Sequence, residues 1–115
     1  MQSGWLLRDG DVVCALEMAE TGGERNRGLL GRDACEGGLH LPGRRTIHTF
    51  GMRFSLDVAL LLDDLTVLRL LRVAPNRVVR PRWSVRSLVE AQAGAWERWG
   101  LRVGDQLEIR QVDES

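Results

Sequence analysis

The chain has 115 residues, enough for one domain, and its 43% hydrophobic and 28% charged content is that of an ordinary globular protein. Its 16 basic and 16 acidic residues balance, every basic residue is Arg, and Lys and Tyr are absent. This excludes Schiff-base lysine chemistry, a P-loop lysine and a tyrosine acid or nucleophile, and speaks against a uniformly basic nucleic-acid coat.

In chain order, Asp9-Gly10 between Trp5–Arg8 and Asp11–Ala19 is a two-residue hairpin signal, so strands are expected on both sides. Thr21 stands three residues before Glu24, a capping-box spacing that predicts a short helix over Gly22–Leu30 with Gly31 as its stop. Asp33–Gly51 reads as loop, with extended pieces at Leu39–Leu41 and Thr46–Phe50. Phe54–Leu62 is a strand apolar enough at its end to be covered on both faces. Asp63-Asp64 turns it into an antiparallel partner, Thr66–Val73.

Ala74-Pro75-Asn76 is the next break, followed by a short strand at Arg77–Arg80 that Pro81 ends. Ser84–Gln92 reads as a strand, Ala93–Gly100 as one or two helical turns, and Gln106–Val112 as a last strand. The fold class expected is α+β, mainly β: a compact antiparallel barrel-like sheet of about seven short strands with one or two short helices, as a single domain over 1–115.

The N-terminus lacks a signal-peptide pattern, and the longest apolar run, Val58–Leu62, is far too short to span a membrane. A soluble cytoplasmic protein is expected. Cys14 and Cys35 form no C-x-x-C motif and read as reduced thiols. Charge is segregated along the chain. Residues 1–36 hold four Arg against seven acids, 37–86 hold nine Arg against three, and 87–115 hold three against six. A basic middle therefore lies between acidic ends.

A set of motifs occurs in order. Arg27-Gly28-Leu29-Leu30-Gly31-Arg32 is followed by Gly37-Gly38-Leu39, then by Thr49-Phe50-Gly51-Met52-Arg53-Phe54-Ser55-Leu56-Asp57-Val58. Leu88-Val89-Glu90-Ala91-Gln92-Ala93-Gly94 and Gly100-Leu101-Arg102-Val103-Gly104-Asp105 close the series. The chain resembles the domain of unknown function 192 family of small bacterial and archaeal proteins, over about Trp5 to Arg110. The resemblance implies a mainly β domain with a barrel-like sheet and no established reaction. The chain departs from the common pattern at Leu30 (usually Met), Gly51 (usually Trp) and Ser55 (often Pro). The change at Gly51 removes a large surface from the most distinctive motif.

His40 and His48 are the only histidines. With Cys35 and Asp57 they give C-x4-H-x7-H-x8-D, which matches no zinc signature, so no metal is expected. Asp57 opens an apolar strand and must be paired or hydrogen-bonded. It is either a structural ion pair or cap on loop amides, or a general base or ligand-orienting group. Arg53, Arg27, Arg32 and His48 are its candidate partners. Phe50 and Met52, alternating about Gly51, are expected on one side at the core or a pocket mouth. Trp96 and Trp99, three apart, are expected in the core.

Arg69, Arg72, Arg77, Arg80, Arg82 and Arg86 carry six positive charges with no acid among them. They form either a solvated sheet face or an anion-binding strip, with Trp83 available for stacking on a base. There is no G-x-S-x-G and no recognisable nucleophile setting.

The leading expectation is a non-catalytic module that binds a small ligand or protein partner. Its surface runs from His40 to Asp57, with Arg27, Arg32, His48, Phe50, Met52, Arg53 and Asp57 as ligand-binding residues and no cofactor. One alternative is a hydrolase using Asp57 and His48, with or without a metal. A second is polyanion or nucleic-acid binding through the strip from Arg69 to Arg86.

Overall fold

Asp9 and Gly10 have φ of 53° and 82°, the pair of left-handed residues that a type I′ hairpin turn needs. In the computed structural model, which describes residues 2–18, 37–80 and 82–112, this turn joins β1 (Gln2–Arg8) to β2 (Asp11–Met18). The helix expected at Gly22–Leu30 lies outside the described residues, as does Cys35. β3 (Gly38–Pro42), β4 (Ile47–His48), β5 (Leu56–Leu61), β6 (Val67–Val73), β7 (Val78–Val79) and β8 (Ser87–Gln92) follow. A one-turn helix α1 (Ala95–Arg98) and β9 (Leu107–Gln111) complete the described chain.

Seven strands form one sheet in the order β6-β5-β8-β3-β2-β1-β9. β2 and β3 pair in parallel and every other neighbour pair is antiparallel, so the sheet is mixed rather than antiparallel throughout. The edge strands meet at one corner, where Thr66 bridges Gln106 and the Val67 amide donates to the Asp105 carbonyl at 2.8 Å. No β6–β9 ladder forms among the described residues, so the sheet is not closed into the barrel that the sequence predicts. β4 and β7 form a separate two-stranded ribbon. The strand at Arg77–Arg80 thus pairs with the loop region before β5, not with Thr66–Val73.

All six residues of β5 are buried, which explains its unbroken apolar sequence. Alternation sends Asp57, Ala59 and Leu61 to one face and Leu56, Val58 and Leu60 to the other. The first face collects Leu6, Leu16, Val67, Val89 and Leu107 with Ala95, Trp96 and Leu101, so α1 covers it. Trp96 is buried there against Trp99, with ring centroids 5.5 Å apart. The second face holds Leu39, Leu41 and Leu88 against Ile47, Met52, Val79 and Val85. The β4–β7 ribbon therefore lies over the second face.

Arg8 ties the two ends of the described chain together. Its guanidinium donates to the Trp99 and Gly100 carbonyls at 3.1 and 2.8 Å and pairs with Asp105 at 3.1 Å. These carbonyls end the helical segment and have no partner within it, so a cation there is doubly favourable.

Candidate functional site

The ribbon is amphipathic at the scale of single residues. Ile47 and Val79 oppose one another toward the core, and His48 and Val78 oppose one another outward. Just beyond β4, the Met52 amide donates to the Thr49 carbonyl at 3.2 Å and Gly51 has φ 80°. This is a type II turn, in which the third residue must tolerate positive φ and the second projects outward. Phe50 occupies that second position, is 52% exposed, and stacks on His48 with ring centroids 5.4 Å apart and planes inclined by 27°.

Thr49 fixes this tip. It is fully buried; its hydroxyl donates to the Ala74 carbonyl at 2.6 Å and accepts the Arg77 amide at 2.8 Å. Its own amide donates to the Arg77 carbonyl at 2.8 Å, and its carbonyl accepts the Asn76 amide at 2.9 Å. Asn76 has φ 62° and its side-chain oxygen accepts the Gly51 amide at 3.4 Å. One short polar side chain thus clamps the loop at 74–77 to the turn at 49–52. The result is a rigid, exposed aromatic pair beside Val78, itself 61% exposed.

Asp57 is elsewhere. It is 2% exposed on the first face, with one oxygen accepting the Gly94 and Trp96 amides at 3.0 and 3.1 Å and the other accepting Arg72 Nε at 3.2 Å. Arg72 also reaches Glu97 at 3.3 Å. The carboxylate therefore caps the start of α1 and is neutralised by the guanidinium directly opposite it on β6. The pairing holds the Arg72 guanidinium above its ordinary value. Asp57, Leu70, Leu71, Arg72, Trp96, Glu97 and Leu101 line an open groove of about 370 Å³.

The structure thus splits the residues grouped by sequence. His48 and Phe50 are together on the ribbon, whereas Asp57 lies on the other side of the sheet. Met52 does not share Phe50's side; the turn sends it into the core at 7% exposure. Arg53 is exposed. Arg27 and Arg32 lie outside the described residues. His40 is largely buried on β3 between Met18 and Val89, and burial pushes it down to about 4. Among the described residues no group of three His, Cys, Asp or Glu could hold a metal ion.

The Arg residues also divide. Arg69, Arg72, Arg77, Arg80, Arg82 and Arg86 are all exposed, but Arg69 opposes Leu60 and Arg72 opposes Asp57, so those two leave opposite faces of β6. Trp83 is 88% exposed at the second position of a turn in which the Val85 amide donates to the Arg82 carbonyl at 3.2 Å.

Sequence reasoning missed Thr49, Arg72 as the partner of Asp57, and the buried Glu90, which sits between Leu39 and Val58. The signal for Glu90 was a lone carboxylate in the apolar run Leu88–Ala91.

No described helix is long and apolar enough to cross a membrane. No curated protein matches the chain. Two similar solved structures share this fold. A proposed transcription regulator from Sinorhizobium meliloti 1021 is 21% identical, with 94% of this chain and 92% of that one covered at a TM-score of 0.78. A protein of unknown function from Novosphingobium aromaticivorans DSM 12444 is 19% identical, with 94% and 84% covered at a TM-score of 0.73. At these identities the likeness concerns the fold alone. The family model of the uncharacterised ACR proteins matches residues 5–109, nearly the whole described sheet, and the chain belongs to this family, DUF192.

Proposed function

We propose that the domain is a non-catalytic binding module whose recognition surface is the outer face of the β4–β7 ribbon. The observation that carries this reading is the His48–Phe50 stack. Two aromatic rings stand in solvent on a turn held by a fully buried Thr49, which supplies the preorganisation that binding rewards. Aromatic side chains presented this way offer large contact area at small entropic cost.

Hydrolysis by Asp57 with His48 has no geometric support. The carboxylate is committed to two backbone amides and a guanidinium, and the imidazole is on the far side of the sheet. A regulator description for the Sinorhizobium neighbour agrees with a binding role without specifying one.

The test is amide chemical-shift mapping with benzoate, indole, adenosine monophosphate and uridine monophosphate as probes. Perturbations should cluster at residues 47–52 and 76–80 and vanish in a His48→Ala/Phe50→Ala variant. No perturbation, or clustering around the Asp57–Trp96 groove instead, overturns the reading.

A further inference from the structure

We propose that the ribbon surface binds single-stranded nucleic acid, with bases stacked on Phe50 and Trp83 and phosphates held by the surrounding guanidinium groups. The inference rests on the binding reading above and names its ligand class. Residues 37–56 and 74–86, the two segments that build the ribbon and its flanks, contain seven Arg and no Asp or Glu. The fold brings the two segments together: His48 pairs with Val78, Thr46 hydrogen-bonds to the Val79 carbonyl, and the Gly43 amide donates to the Arg86 carbonyl at 2.9 Å.

Arg45, Arg77, Arg80, Arg82 and Arg86 are exposed, and none is ion-paired to a carboxylate among the described residues. Outside the two segments, Arg8, Arg72 and Arg110 are each neutralised by one, and the remaining exposed Arg69, Arg98 and Arg102 are scattered singly over β6, α1 and the turn before β9. The positive charge is thus concentrated where the aromatic side chains are. Arg86 donates to the carbonyls of Trp83 and Val85, bracing the turn that carries the most exposed aromatic ring.

The two aromatic side chains are equivalent in design, since Phe50 and Trp83 each hold the second position of a four-residue turn. The backbone between Val78, beside Phe50, and Trp83 spans at most about 18 Å, within reach of one short stretch of strand. Exposed ring faces can stack only on bases that are not already stacked in a duplex, which favours a single strand. Guanidinium groups suit phosphates through planar, multi-donor contacts. The described acids lie on the main sheet, α1 and their connecting turns, outside these two segments, so the attraction belongs to this surface.

The experiment is fluorescence anisotropy of the full chain with a fluorescein-labelled thymidine oligonucleotide of about 12 residues. Binding should weaken with salt at a log–log slope of about −2 to −3.5, from about 0.7 per phosphate neutralised. Arg80→Ala/Arg82→Ala should flatten that slope by about 1.4. Trp83→Ala should keep the slope and weaken binding about 5- to 100-fold. Arg102→Ala, an exposed Arg elsewhere, should change nothing. The proposal is overturned if the oligonucleotide does not bind at low salt. It is also overturned if duplex DNA or heparin binds equally and Trp83→Ala and Phe50→Ala have no effect, which marks a surface for acidic proteins. If the oligonucleotide fails while indole and benzoate still map to the ribbon, only the ligand class falls; if both fail, the binding reading falls too.

Discussion

Thr49 and Arg77 exchange two backbone-anchored hydrogen bonds of 2.8 Å, one from each amide, although 28 residues separate them in sequence. The hydroxyl that accepts one of these also donates to Ala74, so a single side-chain oxygen satisfies two backbone groups of another loop. Thr49→Val keeps the shape and removes both bonds. Both bonds are partly buried, and losing each costs about 1–2 kcal/mol, so a loss of about 2–4 kcal/mol is expected by urea unfolding. Thr49→Ser should retain most of the stability. A Thr49→Val protein as stable as the parent would show that the clamp contributes nothing.

Asp57 does for α1 what Thr49 does for the ribbon. Asp57→Ala leaves the Gly94 and Trp96 amides without their acceptor and should destabilise the fold by about 2–4 kcal/mol. Arg72→Ala should cost less, because the exposed guanidinium only screens a carboxylate that the two amides already hold. Urea midpoints of the two variants decide between them. An Arg72→Ala loss equal to that of Asp57→Ala would make the ion pair, and not the cap, the main contribution.

These two anchors also mark where the sequence was readable. The hairpin at Asp9-Gly10, the strands at β5, β6, β8 and β9, and the helical turn before Gly100 follow from local turn chemistry and alternation. Asp57 was legible as a group needing partners, but Arg72 was not legible as the partner. The pairing Leu61–Val67 extended without interruption would set Asp57 against Leu71 and turn Arg72 to the opposite face. A bulge between Leu60 and Leu61 leaves Leu68 as an extra residue and brings Arg72 across from Asp57. A one-residue shift of this kind has no local sequence signal. The β4–β7 pairing was hidden for a related reason, since two-residue strands far apart in sequence carry no periodicity. The split of His48 from Asp57 follows from it.

His40 gives the fold a pH dependence whose sign is fixed by its burial. The folded imidazole sits at about 4, against 6.5 for the ordinary group, so as pH falls the unfolded chain takes up this proton first. The contribution of neutral His40 is therefore full above pH 6.5 and is lost progressively down to pH 4. Over that window it amounts to about 3 kcal/mol. His40→Leu should flatten this part of the stability curve. Urea midpoints of both proteins between about pH 7.5 and 4 read the difference directly. Parallel curves across the window would mean that His40 is solvated in the fold.

Cys14 offers an independent check on the first core. Burial pushes its thiol up to about 12, against the opposing pull of a hydrogen bond from the Gly38 backbone. The thiolate is the reactive form, so at pH 8 the folded protein holds almost none of it at this position. In a Cys35→Ser chain, Cys14 is the sole thiol. Its reaction with a disulfide reagent should then proceed only through opening of the fold, at a rate that rises steeply with urea concentration. Stoichiometric labelling within seconds in buffer alone would place Cys14 at the surface and undo the packing of β2 against β3.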